Sequence, residues 1–196
     1  MTTSAPRAPD RRVLRSRAAL LAAAVRLVSE RGTSAVPVTD LAEAADVSRQ
    51  LVYQHFGDRD ALLVEAALDL VRHELLAPRD GAPGRLAVLA AVRHFADHRA
   101  FYRAVLSGPC AFALTRALGD LLAPVNRHVV RAAVGGGVRP DTLDDLAAFV
   151  TAGTGAVINA WLLSDRPHLD AEEFTDRLLR LWGGLGLTHH REDVDR

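Results

Sequence analysis

Residues 39–60 restrict the possible folds more than any other stretch, because they set two short helical patterns end to end with almost no chain between them. In the first, Leu41, Ala42 and Ala45 fall on one narrow apolar stripe, too short to be stable unless it packs on neighbours. The second begins at Ser48, a residue type that caps helices by accepting a hydrogen bond from an amide two or three positions on. Val52 and Phe56 then share one side of this second helix and are expected to face a core. Its other side carries Arg49 and Tyr53 at i, i+4 beside Gln50 and Gln54 at i, i+4, a contiguous face of long hydrogen-bonding side chains. The chain has to reverse at Asp46 within about three residues, which calls for a left-handed conformation that Gly takes best and Asn or Asp tolerate.

A short helix, a tight turn and a polar second helix make a helix-turn-helix. In that motif the second helix lies in the major groove, where Arg meets the guanine edge with two hydrogen bonds and Gln the adenine edge. Base reading is therefore expected from Arg49, Gln50, Tyr53 and Gln54. Phosphate contacts are expected from Tyr53, His55 and Arg59, with hydroxyls from Thr39 and Ser48. Gly57 is a natural stop for the helix. Taken singly, each residue has a plainer reading: Gln50 and Gln54 as solvated surface, Tyr53 as core, His55 as a structural imidazole, Arg59 as a surface charge. The case for a reader rests on all of them sharing one face opposite Val52 and Phe56.

At these positions the chain resembles the TetR (tetracycline repressor-like) family of bacterial transcription regulators. The match runs through Leu41-Ala42-x-x-Ala45-x-Val47-Ser48, then Leu51-Val52-Tyr53-x-His55-Phe56, then Asp58-Arg59-x-x-Leu62-Leu63. It covers residues 15–65 strongly and the remainder only as a general pattern of helices. Three positions depart from the family. Pro37 and Val38 stand where Thr usually opens the first helix of the motif, leaving Thr39 to supply that hydroxyl. Asp46 replaces the turn Gly, and Arg59 the usual Lys. Asp enters the left-handed region more easily than most residues, and Arg still holds a phosphate.

The chain's 196 residues suffice for one medium domain or two small ones with a real core. The lone Cys110 cannot form an intramolecular disulfide and suits a reducing compartment. No stretch is read as approaching the ~18 apolar residues of a membrane span, and the start lacks the apolar core of a signal peptide, so a cytoplasmic location is expected. Net charge is zero, and every basic residue is Arg. Residues 1–60 carry a slight excess of Arg over acidic residues and the remainder the reverse, the sign expected of a nucleic-acid reader at the front of the chain. Residues 1–14, with Pro6, Pro9, Arg7, Arg11 and Arg12, are expected to form a disordered arm, and 189–196 a tail.

The fold class expected is all-α. A three-helix helix-turn-helix unit over residues 15–60 is followed by a helical effector-binding and dimerisation region over 61–188. Helical spacing predicts helices near 15–31, 60–76, 85–96, 98–107, 110–134, 141–164 and 170–186, punctuated by Pro78, Pro109, the glycines at 135–137, Pro140 and Pro167. In the second region Phe95, Phe101, Tyr102, Phe112, Phe149 and Trp161, with Asn126, His128 and Asn159, form a mix that can line a pocket or simply fill a core. The family resemblance implies a pocket there for a small-molecule effector, hydrophobic or amphipathic by its walls. Ala148, Thr151, Ala152, Gly155 and Asn159 make a stripe of mostly small residues, and Phe174, Leu178, Leu181, Trp182 and Leu185 a broad apolar one behind an Asp170-x-x-Glu173 cap. Pairing these two helices with their copies would give an isologous four-helix interface, the usual dimer arrangement of the resembled family.

Neither His-Glu-x-x-His nor a run of Cys and His suggests a metal, and the eight His look dispersed. No metal, cofactor or catalytic residue is expected, nor an enzyme. The function expected is that of a ligand-responsive regulator, a repressor, which binds a palindromic operator in double-stranded DNA as a homodimer and is released by its effector. The alternative from another class is a helical small-molecule-binding or interaction module that does not use DNA.

Overall fold

The computed structural model describes residues 11–76, 84–135, 137–166 and 168–187, and among these every regular element is a helix. The order is α1 (Arg11–Arg31), α2 (Val38–Ala44), α3 (Arg49–Phe56), α4 (Arg59–Glu74), α5 (Arg85–Asp97), α6 (Arg99–Leu106), α7 (Ala111–Val134), α8 (Pro140–Leu163) and α9 (Ala171–Gly184). The all-α architecture is the one expected. The helix α1 starts earlier than its apolar stripe suggests, so residues 11–14 of the expected arm are helical; the rest of the arm and the 189–196 tail lie outside the described residues.

The turn between α2 and α3 follows from one residue. Asp46 has φ 52°, the one positive φ outside glycine among the described residues. That conformation lets the Asp46 amide donate to Glu43 O and the Val47 amide to Ala42 O, both at 3.0 Å, which closes α2 with the paired bonds of a Schellman stop. Ser48 takes the N-cap position of α3 with extended backbone, but its hydroxyl accepts no capping bond, a correction to the expected cap. Its carbonyl instead accepts from the Leu51 amide at 3.0 Å. The capping side chain is found one helix later: Asp58 Oδ1 accepts from the Ala61 amide at 2.7 Å at the start of α4.

Asp46→Gly is expected to hold or raise stability by up to about 1 kcal/mol, and Asp46→Ala to lower it by about as much, because a left-handed Cβ is what the turn strains against. Urea midpoints would decide. Equal shifts in the two variants would mean that φ at this position is not what the turn depends on.

The helix α1 holds the motif in place. Leu20, Ala24, Val28, Leu41, Val52, Leu62 and Leu63 are fully buried together, so α1 packs across α2 and α4 while α3 lies over α4. Arg17 adds a polar lock: its guanidinium meets Glu65 Oε2 of α4 at 2.7 Å, donates to the carbonyl of His55 at 3.4 Å and stands 4.6 Å from the centre of the Phe56 ring. One side chain therefore touches α3 and α4 at once.

Beyond α4 the same core continues through Phe95, Phe101, Tyr102, Leu114, Trp161, Leu162, Phe174 and Leu178. The helices α7 and α8 run along each other, α5 packs on α9, and α6 is wedged against α1, α7 and α8. Arg99 and Arg103 of α6 finish α8, donating to the carbonyls of Leu162, Leu163, Ser164 and Arg166 at 2.5–3.2 Å, cations placed at the negative end of a helix.

Candidate DNA-reading face

The eight-residue helix α3 spans about 12 Å, comparable to the width of the major groove. Val52 is fully buried and Leu51 and Phe56 are half-buried, so one side of the helix is pinned against α2 and α4. Arg49, Gln50, Tyr53 and Gln54 are exposed together on the other side, and Tyr53 leaves 48% of its surface open. None of the four side chains is drawn into a hydrogen bond or ion pair among the described residues. A half-exposed tyrosine beside three uncommitted polar side chains makes a face that can meet a ligand without first breaking a contact.

The expected phosphate contacts are placed less uniformly. Thr39 is exposed at the start of α2 with its hydroxyl donating to Asp40 Oδ1 at 3.2 Å, and Ser48 is exposed at the start of α3. His55 is half-buried, its Nε2 hydrogen-bonded to Ser16 Oγ of α1 at 3.3 Å. Arg59 lies across its neighbour, with Nη2 2.8 Å and Nε 2.9 Å from Asp60 Oδ1. It would have to exchange a carboxylate for a phosphate.

The nine side chains expected around a pocket do not share one surface. Phe95, Phe101, Tyr102 and Trp161 are core: Phe95 and Tyr102 have ring centroids 5.0 Å apart, and Trp161 stacks on Phe174 at 4.1 Å. Phe112 and Phe149 are 80% and 64% exposed, and His128 is exposed too. Asn126 donates to Thr151 Oγ1 at 2.9 Å and Asn159 to Thr115 Oγ1 at 3.2 Å, both tying α7 to α8. Periodicity marks which residues are apolar but not which helix each one meets.

The expected interface divides in a similar way. Ala148 and Ala152 are exposed on α8, with Gly155 half-buried beside them. Phe174 and Leu178, each 2% exposed, are part of the core and cannot meet a second chain; Trp182 is half-buried and donates from Nε1 to Thr154 Oγ1 at 3.1 Å. Leu181 and Leu185 remain exposed at the end of α9. The stripe on α9 is wide enough that its first turns face inward and its last faces out. The helix α8 also corrects the expectation that no stretch is apolar enough to span a membrane: by length and composition it is, although only 22% of its most apolar window is buried. It lies along α7 and is tied to it by the Asn126 and Asn159 bonds.

One cluster has no counterpart among the expectations. His94 Nδ1 lies 2.7 Å from Glu74 Oε2, His98 Nε2 3.0 Å from the same carboxylate, and His94 Nε2 2.9 Å from the Tyr102 hydroxyl. Burial pulls the His94 imidazole below its ordinary pKa against the opposing pull of Glu74. Burial alone would raise the Glu74 carboxyl, but the hydrogen bonds from His94 and His98 outweigh it and hold the group below its usual range. The signal in the sequence is the i, i+4 spacing of His94 and His98; Glu74, twenty residues before His94, has no local mark.

The family model for bacterial regulatory proteins of the tetR family matches residues 20–66, the segment that carries α2, α3, the second half of α1 and the first half of α4. The HTH-type transcriptional repressor Rv3405c of Mycobacterium tuberculosis is 38% identical over 92 residues, 46% of this chain and 47% of that protein. The HTH-type transcriptional regulator Mb3439c of Mycobacterium bovis matches over the same extent. The chain thus spans about half the length of the curated relatives it matches. Among solved structures, the dihydroxyacetone kinase operon activator DhaS superposes with a TM-score of 0.63 at 14% identity, covering 87% of this chain and 95% of its own. A TetR-family transcriptional regulator from Rhodococcus sp. gives 0.60 at 22% identity, covering 89% and 100%. These structural likenesses establish the fold. Together with the matched segment, they lead to one conclusion: residues 20–66 form the domain shared by bacterial regulatory proteins of the tetR family.

Proposed function

We propose that this chain is a ligand-responsive transcriptional regulator, a repressor, that binds a palindromic operator as a homodimer and is released by a small-molecule effector. The observation that carries the reading is the face of α3, where Arg49, Gln50, Tyr53 and Gln54 project together from a helix whose opposite side is buried. Arg49 and the two glutamines would read base edges, and Tyr53 would serve both base and phosphate. Thr39, Ser48, His55 and Arg59 flank that face and would hold the backbone.

Two copies are needed because one eight-residue helix reads only a few base pairs. The exposed apolar part of α8 around Ala148, Phe149 and Ala152, with Leu181 and Leu185 of α9, supplies a surface on which a second copy can pair about a two-fold axis. The lever between an effector and the DNA would be α4. It packs on α1 and α3 at one end and on α7 further along, so a ligand that favours one placement of α4 changes the spacing of the two reader helices. Only a ligand with unequal affinity for the two placements can do so.

The test is an anisotropy titration of the full chain against DNA flanking its own gene, with a footprint of the bound site. The expected outcome is a symmetric footprint with half-site centres one helical turn apart, about 34 Å. Affinity should fall steeply with salt, with a log–log slope near −0.9 per phosphate contacted. Binding that is flat with salt or leaves an asymmetric footprint would overturn the reading.

A further inference from the structure

We propose that Glu74, His94 and His98 form a binding site for one divalent transition-metal ion of the zinc class, with Tyr102 as the partner that orients His94. Three helices bring these groups together: Glu74 ends α4, His94 sits in the last turn of α5, and His98 stands in the one-residue joint between α5 and α6. The donor atoms of the three all lie within 4.8 Å of one another. The carboxylate is already 2.7 Å and 3.0 Å from the two imidazole nitrogens. In a tetrahedral zinc site with bonds of about 2.0–2.1 Å, donor atoms sit roughly 3.3 Å apart. To admit an ion, the Glu–His edges have to widen by roughly 0.3–0.6 Å and the two imidazoles have to settle at a similar spacing from within 4.8 Å.

The chemistry of the set is selective. Two imidazoles and one carboxylate, with no thiolate, suit zinc, cobalt or nickel, whereas calcium and magnesium prefer all-oxygen sites. Three protein donors leave a fourth position for water or a ligand. The second nitrogen of His94 is held by the Tyr102 hydroxyl at 2.9 Å, and both residues are buried, at 4% and 1% exposed. Metal-bound imidazoles commonly carry such a partner on their other nitrogen, which sets the tautomer and the direction of the ring. Here Nε2 would donate to the tyrosine oxygen and leave Nδ1 free for the ion. Glu74 and His98 are 42% and 25% exposed at the side chain, so the site opens to water on one side while His94 anchors it on the other.

The location also has a consequence. An ion bound there would clamp the far end of α4 to α5 and α6, and α4 is the helix on which α3 rests. That consequence for DNA depends on the proposed function, whereas metal binding itself does not.

The experiment uses the tag-free full chain, stripped with a chelator, titrated with Co2+ for its visible d–d bands and then with Zn2+ in competition with a chromophoric chelator. One equivalent per chain is expected, with His98→Gln and Glu74→Gln each weakening zinc by at least about tenfold and Tyr102→Phe by about tenfold. His98→Gln and Glu74→Gln change partly exposed side chains, and helical circular dichroism of each variant checks that the fold is kept. A His189→Ala, His190→Ala variant should bind as the parent does. The proposal is overturned by less than one equivalent bound, by unchanged affinity in both His98→Gln and Glu74→Gln, or by loss of binding when only His189 and His190 are changed.

Discussion

With Arg49 and Tyr53 both replaced by Ala, operator binding is expected to fall by at least about thirtyfold, while the denaturation midpoint stays where it was. Removing a side chain that reads a base edge costs roughly 1–3 kcal/mol, two are removed, and the proposed dimer would suffer the loss in both half-sites. Stability should change by no more than about 0.5 kcal/mol, because neither side chain has a hydrogen bond or ion pair among the described residues and both are exposed. This separation of effects is what a reader face requires and what a structural face would not show. Arg59→Ala makes a useful contrast. Its guanidinium lies on Asp60 and would exchange that carboxylate for a phosphate, so its removal should weaken all DNA sequences alike and lower the salt slope by about two, one for each half-site. A double variant that keeps its sequence preference would place the reader elsewhere on the molecule.

Legibility in the sequence tracks how local the governing physics is. Asp46 is readable because a two-helix reversal leaves few backbone choices, and its φ of 52° is the conformation the spacing demands. The division of α3 into Val52 and Phe56 on one side and Arg49, Gln50, Tyr53 and Gln54 on the other follows from helical periodicity alone, and burial agrees. The absent Ser48 cap shows the limit of a local rule: the position is right, but the hydroxyl has no bond to the helix. Farther along, the determining interactions are between helices. Phe174 and Leu181 lie on one apolar stripe, yet the first stacks on Trp161 and the second is 46% exposed. Phe95 and Phe149 are both aromatic positions on long helices, one buried and one bare. The pairing of Glu74 with His94 and His98 is of the same kind, since it depends on how α4 meets the α5–α6 joint.

Ala152→Asp is expected to convert the proposed dimer to a monomer, with the helical content kept. In the single chain Ala152 is exposed on α8, next to Phe149 and one turn from Ala148, so a carboxylate there is solvated and costs little more than its helix propensity, under about 1 kcal/mol. On association it would enter a seam of small and apolar side chains with no cation beside it. An unpaired charge buried in this way costs about 3–5 kcal/mol, and two-fold symmetry imposes the penalty twice, with the two like charges close together. Aspartate is too short to reach water from the middle of a helix pair, as an arginine could by extending its stem. The dimer constant should therefore fall by more than about a hundredfold, read by light scattering across a dilution series. Operator affinity should fall with it, because linking two half-site readers is worth about 10²–10⁴ in effective concentration. A variant that still pairs at the parent's concentration would move the interface off α8, and one that turns monomeric yet binds the full operator undiminished would break the link between pairing and DNA.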